Sequence, residues 1–503
     1  MEPRHLHWFD HIATNIYWLG LNIASGVITP VLLPYLVALF VPADQKNTYL
    51  ANVRVVGLAV AMLIQPMAGM LSDRSTSRWG RRRPYLLGGT LFDLVFLIII
   101  GASPLFIGSA LDRTFQTSLG VSTAYLVLLI GIVLLQVSSN FAQGALQGLI
   151  PDVVPENQRG RSSGVKAVME LLPVFLVLFI GPLVDKGLIW LTVAIIGGAL
   201  LVTMLITLFF VAEAPLREKP EGRLAGPFAR MFALTVIFVA VTQGAVYLVR
   251  SSGAFAAGAT PAVQVVIVGA AGLIGMAGSI FIGVYAGASI GIGAQARRQS
   301  SFIWWVINRL LFLAAIGSIQ GFAQFFLRDV LRIPNAATMT TVLLAAVAVF
   351  LIPSALGGGA LADRIGRKRL VGLSGLVAAA GTFLLLFSTN IPLVLVSGCI
   401  IGVGGGTFMA TNWALGTDLV PPEEAGRYLG ISNLAGAGAG IVGAGIGGPM
   451  ADLFNALSPG LGYLVIFALY GALFLLSTVA LSRVHEPERG IAPAPTPAAA
   501  TGE

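Results

Sequence analysis

Fourteen stretches of this sequence stay apolar for about the thickness of a bilayer, and that recurrence limits the folds open to the chain. An α-helix rises about 1.5 Å per residue, so about 20 apolar residues cross the hydrocarbon core. The runs fall near residues 12–40, 50–71, 84–102, 121–149, 163–183 and 188–212, then 231–250 and 262–292. Six more follow at 301–327, 337–361, 370–388, 391–416, 428–450 and 461–482. Charged residues make up 10% of the 503 and hydrophobic ones 56%, where a soluble domain carries about 25% charged. So few charges cannot coat a water-facing exterior. The fold class expected is all-α and polytopic, with the lipid bilayer as solvent and about fourteen spans.

The net charge of +8 resides in short loops between the runs. Arg74, Arg78, Arg81, Arg82 and Arg83 share one loop, and Arg159 and Arg161 a second. Arg217, Lys219, Arg223 and Arg230 occupy the segment after the sixth run. Arg297 and Arg298 follow, then Arg364, Arg367, Lys368 and Arg369. An even number of spans separates these clusters, so they share one side; the other side keeps Lys46, Arg113, Lys186, Arg250, Arg328 and Arg332. Basic loops mark the cytoplasmic side, which predicts a plasma-membrane protein with both termini in the cytoplasm and no nucleic-acid partner. The polar start, Met1 to Asp10, leads straight into the first run without a cleavable signal pattern. The single cysteine, Cys399, excludes an intramolecular disulfide.

The chain repeats itself. Asp152-Val-Val-Pro155 with Gly160, Arg161 and Gly164 returns as Asp418-Leu-Val-Pro421 with Gly426, Arg427 and Gly430. Gly69-x-x-x-Asp73-Arg74 followed by Gly80-Arg81 returns as Gly359-x-x-x-Asp363-Arg364 followed by Gly366-Arg367. Each pair follows corresponding runs, so the chain reads as two six-helix units related by duplication, which places a binding site at their interface. The expected division is a first bundle over 1–212, a cytoplasmic linker over 213–230, two inserted helices over 231–292, a second bundle over 301–484, and a Pro/Ala-rich tail from 485 to 503. Spans are numbered one to twelve within the two bundles, leaving the inserted pair unnumbered.

The loop from Gly69 to Arg83 resembles the signature loop of the major facilitator superfamily. Its longer form, Ser72-Asp73-Arg74 through Arg78-Trp79-Gly80-Arg81-Arg82-Arg83-Pro84, is similar to sucrose:proton symporters, which belong with the glycoside–pentoside–hexuronide:cation symporters. In span four, Asn140-x-x-Gln143-Gly144-Ala145-x-Gln147 with Asp152 is similar to the Asn-x-x-Gln-Gly-Pro-x-Arg motif of sucrose symporters, with Gln147 in place of the motif's arginine. Acidic residues that melibiose-type relatives carry in span two are missing, and Arg54 is the one ionisable residue in its outer part. The superfamily resemblance runs over about 12–484 outside the inserted pair; the sugar-symporter resemblance covers little beyond spans two to five.

The resemblance implies two six-helix bundles of the major facilitator fold, working as a transporter by alternating access. It implies a conformational latch at Gly69, Asp73, Arg74, Arg81, Asp152 and Arg161, repeated at Asp363, Arg364, Arg367, Asp418 and Arg427. A carboxylate at a helix end facing guanidinium groups makes charge-assisted bonds that exist in one packing only. The superfamily also places spans one, four, seven and ten around a cavity. Gln136, Asn140, Gln143 and Gln147 share one face of span four by their spacing, and Asn15, Trp18, Asn22 and Ser25 one face of span one. Span seven offers Asn308, Gln320 and Gln324; span ten offers Thr407, Thr411, Asn412 and Trp413. Amides both donate and accept, which suits a neutral hydroxyl-rich solute. The bland reading of all of these is hydrogen bonding between helices.

Three ionisable residues fall at membrane depth: Asp93 in span three, Glu170 in span five and Arg309 in span seven. Such groups are functional candidates, and Asp93 and Glu170 are the candidate proton carriers. Lys166 lies one turn before Glu170, so the two can also simply pair. All four histidines, His5, His7, His11 and His485, lie near the termini, which leaves no intramembrane histidine relay. No metal ligand set, cofactor motif or catalytic constellation is visible. Gly438-x-Gly440-x-x-Gly443 matches a dinucleotide fingerprint, but it lies in an apolar helix and predicts close helix packing. The expected function is proton-coupled symport of a neutral sugar-like solute, not an enzymatic one. A proton-driven exporter of amphipathic molecules and a non-transporting receptor or assembly factor are the alternatives.

Overall fold

A computed structural model of the chain describes residues 6–216, 225–291, 293, 300–420 and 425–485, without the side chains of 425–431 and 433–435. Arg217, Lys219, Arg223, Arg297, Arg298 and the side chain of Arg427 lie outside the described residues, as does the tail beyond His485. Thirteen helices among the described residues are long and apolar enough to cross a membrane. Ala425–Leu457 is a further long helix, which makes fourteen. The expectation of an all-α polytopic protein with about fourteen spans is met.

Span one, Trp8–Phe40, carries a π-helical segment at Ile28–Leu32. Pro30 and Pro34 lack the N–H that a continuous ladder needs. Span five is broken into Arg159–Leu171, Pro173–Val177 and Gly181–Asp185, with prolines opening its second and third pieces. Span two is Lys46–Ser72, span three Arg83–Ala102, span four Thr123–Leu146 and span six Ile189–Phe210. In the second half, span seven is Ser300–Asp329, span eight Ala336–Ile365, span nine Arg367–Leu385, span ten Ile391–Asp418 and span twelve Leu461–Ala480. The connection between spans three and four holds a short helix, Ala110–Leu119, that the hydropathy pattern left as a loop. Ser109 caps it at its start and Gly120, at φ 66°, closes it.

Close packing rests on small residues. A Cβ at Gly144 would lie 2.2 Å from the Gln65 carbonyl oxygen, so spans two and four cross only because that position is glycine. Span eleven, Ala425–Leu457, carries the glycine-rich run. Gly440, Gly445 and Gly448 face Leu58, Val55 and Ala51 of span two, while Gly443 faces Ala314 of span seven. The run is a packing surface, as expected. The inserted pair, Ala225–Phe255 and Pro261–Gly291, packs on span eleven, where Phe238 fills the space left by Gly438 and Gly283. Tyr247 of the pair is 74% exposed, and the Gln264 amide donates to the Ala259 carbonyl.

Candidate functional site

Between the halves lies a cavity of two lobes, of about 430 and 290 Å³, that share Asn22, Ser25, Thr29 and Arg54. The smaller lobe is built by the first half: Gln136, Ser139, Asn140 and Gln143 of span four line it. The larger lobe opens between halves and is mostly apolar, with Val174, Ile316, Leu343 and Ile401 among its walls; Gln320, Glu170 and Thr340 join the four shared residues as its polar exceptions. Of the residues that the sequence singled out, Asn22, Asn140, Gln143, Gln320 and Glu170 come together here, with Gln136 beside them. Within the smaller lobe, the Asn140 amide donates to the Gln136 carbonyl at 2.8 Å.

Other sequence candidates line neither lobe. Asn15 is buried and donates to the His11 carbonyl at 2.9 Å and to Ser162 Oγ at 2.8 Å. Trp18 is buried with Lys166 Nζ 4.3 Å from its ring. Gln147 follows the end of span four and is exposed. Gln324 lies 2.9 Å from the Val31 and Pro30 carbonyls of the π-helical segment, which its amide N–H groups meet when the amide is turned toward them. Asn412 donates to Asn308 Oδ1 at 2.7 Å, and Trp413 lies under the Arg309 guanidinium at 4.9 Å. Helical spacing gives a face but not the neighbour that the face meets, and here these faces meet other spans.

Asp93 is fully buried between spans three and four. It accepts hydrogen bonds from Ser138 and, at 2.9 Å, from Ser139. Ser139 borders the smaller lobe, so one hydroxyl separates Asp93 from the cavity. Glu170 and Lys166 are 3.4 Å apart, the pairing that their spacing allows.

At the arginine-rich end, Asp152 receives both Arg81 and Arg82, the latter at 2.8 Å. Arg82 also reaches Asp73 at 2.5 Å and, through Nη1, Ser72 Oγ. The second half repeats the motif: Arg367 donates to both Asp418 oxygens at 2.7 and 2.6 Å. Arg161, Asp363 and Arg364 are exposed and make no ion pair among the described residues. Arg159 takes Glu156 instead, at 3.5 Å. Sequence reasoning missed Glu213. Its carboxylate accepts from the Arg82 N–H at 2.9 Å and the Arg83 N–H at 3.3 Å, capping the start of span three. Burial pushes the Glu213 carboxyl above its ordinary range, and the backbone N–H groups pull it back. Gly80, at φ 99°, brings the loop against the Glu213 side chain. Each ion pair named here joins residues of a single half.

The opposite end is different. Asp452 of span eleven accepts from the N–H groups of Asn47 and Thr48 at 3.2 and 2.7 Å, at the first turn of span two. Asp185, ending span five, accepts from the N–H groups of Ala337 and Thr338 at 3.1 and 2.8 Å, at the first turn of span eight. Each carboxylate thus sits on the positive end of a helix in the other half. Asn47 and Thr48 stand to Ala337 and Thr338 at the offset that separates Asp73 from Asp363, and Asp185 and Asp452 match within one residue of the Asp152-to-Asp418 offset. The two clasps are therefore copies made by the duplication. Lys46 joins them, pairing with Asp329 of span seven at 2.6 Å, and the Tyr463 hydroxyl donates to the same carboxylate. The repeat carried a signal for Asp185 and Asp452, but no arginine stood beside them to draw notice.

Residues 18–236 match the family model described as MFS/sugar transport protein, and residues 306–501 the model described as Major Facilitator Superfamily. The general alpha-glucoside permease of Schizosaccharomyces pombe is 30% identical over 213 residues, 40% of this chain and 37% of that protein. A sucrose transport protein of Arabidopsis thaliana is 30% identical over 150 residues, 29% of this chain and 24% of that protein. The matches thus span well under two thirds of either relative. The crystal structure of a D-xylose–proton symporter superposes with a TM-score of 0.62 at 14% identity, covering 94% of this chain and 97% of that one.

Proposed function

Because this chain belongs to the major facilitator superfamily, we propose that it is a secondary transporter that carries a sugar-like, hydroxylated solute together with protons by alternating access. The observation that carries the reading is the grouping of Asn22, Gln136, Asn140, Gln143 and Gln320 on one cavity at the junction of the halves. An amide gives and receives hydrogen bonds at once, so a hydroxyl finds a partner in either role. Sugar-transport names among the relatives support the solute class.

Two carboxyls are placed to carry the proton. Glu170 faces the larger lobe directly. Asp93 reaches the smaller lobe through Ser139. If Glu170 is the carrier, Glu170→Gln abolishes gradient-driven accumulation and preserves exchange of bound solute; normal accumulation in that variant moves the role to Asp93 or ends the proposal of coupling.

The arginine-rich end faces the cytoplasm in this reading, by the distribution of basic loops. The clasped end is then the outer one, and the structure corresponds to a state closed toward the outside. The apolar walls of the larger lobe favour a second reading, in which the solute is amphipathic and leaves the cell. Purified protein in liposomes under an imposed proton gradient separates the two. The panel is labelled disaccharides, hexoses and cationic dyes. Sugar uptake that follows the gradient supports the first reading, dye movement with no sugar flux supports the second, and no flux of either removes both.

A further inference from the structure

We infer that Arg54 is an anion anchor at the centre of the cavity, and that the solute carries one carboxylate beside its hydroxyl groups. The inference rests on the transport reading and replaces the neutral solute expected from span four with a singly charged one.

Arg54 is the one cationic residue that borders both lobes. It lies in span two at membrane depth, where an uncompensated charge is costly. Yet no carboxylate stands within 4.0 Å of its guanidinium among the described residues. Its one hydrogen bond among the described residues crosses to the other half, from Nη2 to the Gly317 carbonyl at 3.0 Å. Nη1 is buried and has no partner among the described residues. A Cβ at position 321 would lie 1.6 Å from Nη1, so the glycine in span seven is what gives the guanidinium its place against the cavity.

Of the other ionisable groups at this depth among the described residues, Glu170 alone lines the cavity. Lys166 pairs with Glu170, and two serines donate to Asp93. Arg309 lies over Trp413 and within 3.5 Å of Asn412 Oδ1, and lines neither lobe. Glu170 is the other charged residue on the cavity walls, and Lys166 already balances it. What remains on the cavity walls is one positive charge without a carboxylate partner among the described residues, beside the amides that would meet hydroxyls. A guanidinium presents paired N–H donors that match a carboxylate. One such group balances one negative charge, which selects a monocarboxylate over a phosphate ester, whose charge near neutral pH is about −1.5 to −2.

The test is equilibrium binding to the detergent-purified full chain at pH 7, with probes that differ only at one terminus. Gluconate is compared with glucitol, lactobionate with lactitol, and glucose 6-phosphate is added as the dianion. The expected result is that the acid of at least one pair binds about tenfold or more tighter than its alcohol, as one charge-assisted contact provides. Arg54→Gln then reduces affinity for the acid far more than for the alcohol, and Arg54→Lys restores part of the preference. The wild-type comparison needs no variant to fold. Alcohols that bind as well as acids overturn the anchor and leave the sugar-like solute standing. Tighter binding of glucose 6-phosphate than of either acid also overturns it. Acids and alcohols that all fail to bind overturn both readings.

Discussion

The two ends of this molecule use the same chemistry to opposite purposes. At the arginine-rich end, Asp152 holds Arg81 and Arg82, and Asp418 holds Arg367. Each cluster fastens a loop to its own half. At the other end, Asp185 and Asp452 hold helix starts that belong to the opposite half. A bond within one half survives any rigid rocking of the halves, whereas a bond between them must break when that end opens. The difference teaches that the duplicated fold has placed its rigid joints at one end and its breakable ones at the other, in the state seen here.

The sharpest way to break this contrast is to remove both clasps. Hydrogen bonds to a charged group contribute about 1.5–3 kcal/mol each. Asp185→Ala together with Asp452→Ala should therefore move the balance between closed and open states at that end by about a hundredfold or more. Spin labels on the ends of spans two and eleven would show the distance lengthen. An unchanged distance would leave the seal to span packing alone.

The next effect lies at the arginine-rich end. Asp73→Asn should cut transport strongly while solute affinity stays within about tenfold, because it loosens the loop that Arg82 fastens to the end of span two and touches no solute. Asp363→Asn should be milder, since Asp363 is exposed and unpaired among the described residues. Flux assays of the two variants side by side check the asymmetry.

Between the ends, Asn140→Ala and Gln143→Ala should each weaken solute binding by about 1–3 kcal/mol, the cost of an unpaired polar partner. Gln147→Ala should leave binding nearly unchanged, because Gln147 lies outside both lobes. Titration calorimetry distinguishes these outcomes, and a large loss with Gln147→Ala would mean that the cavity extends further in the bound state.

The smallest effect concerns the short helix Ala110–Leu119. The Gly108 N–H, with Ser122 and Thr123, holds the Asp112 carboxyl below its ordinary range. A depressed pKa stabilises the fold above the unfolded value and is lost as pH falls through the folded one. Asp112→Asn should thus lower the melting temperature by a few degrees at pH 7, with the difference from wild type shrinking as pH falls below the ordinary aspartate range.

Much of the fold was written in hydropathy and in the repeat. Runs of bilayer length gave the spans, and Gly69-x-x-x-Asp73 with its copy gave the two halves. The joints within each half were legible because arginines and aspartates there recur at fixed spacing. The joints between halves were not, since a carboxylate that caps a helix start binds backbone N–H groups and needs no side-chain partner to mark it. For the site, the span-four face was legible up to Gln143. The helix ends three residues on, at Leu146, so Gln147 leaves the face that its spacing assigned to it. Arg54 stood out as a lone charge in span two, but its position between two lobes depends on which helices meet there.

The most direct test of alternating access measures both ends at once. Pairs of spin labels at the arginine-rich end and at the clasped end, read in liposomes with and without solute and a proton gradient, follow each distance in the same sample. The account predicts reciprocal change: whenever the clasped end lengthens, the arginine-rich end shortens. Distances that stay fixed at both ends, or that lengthen together, would contradict it.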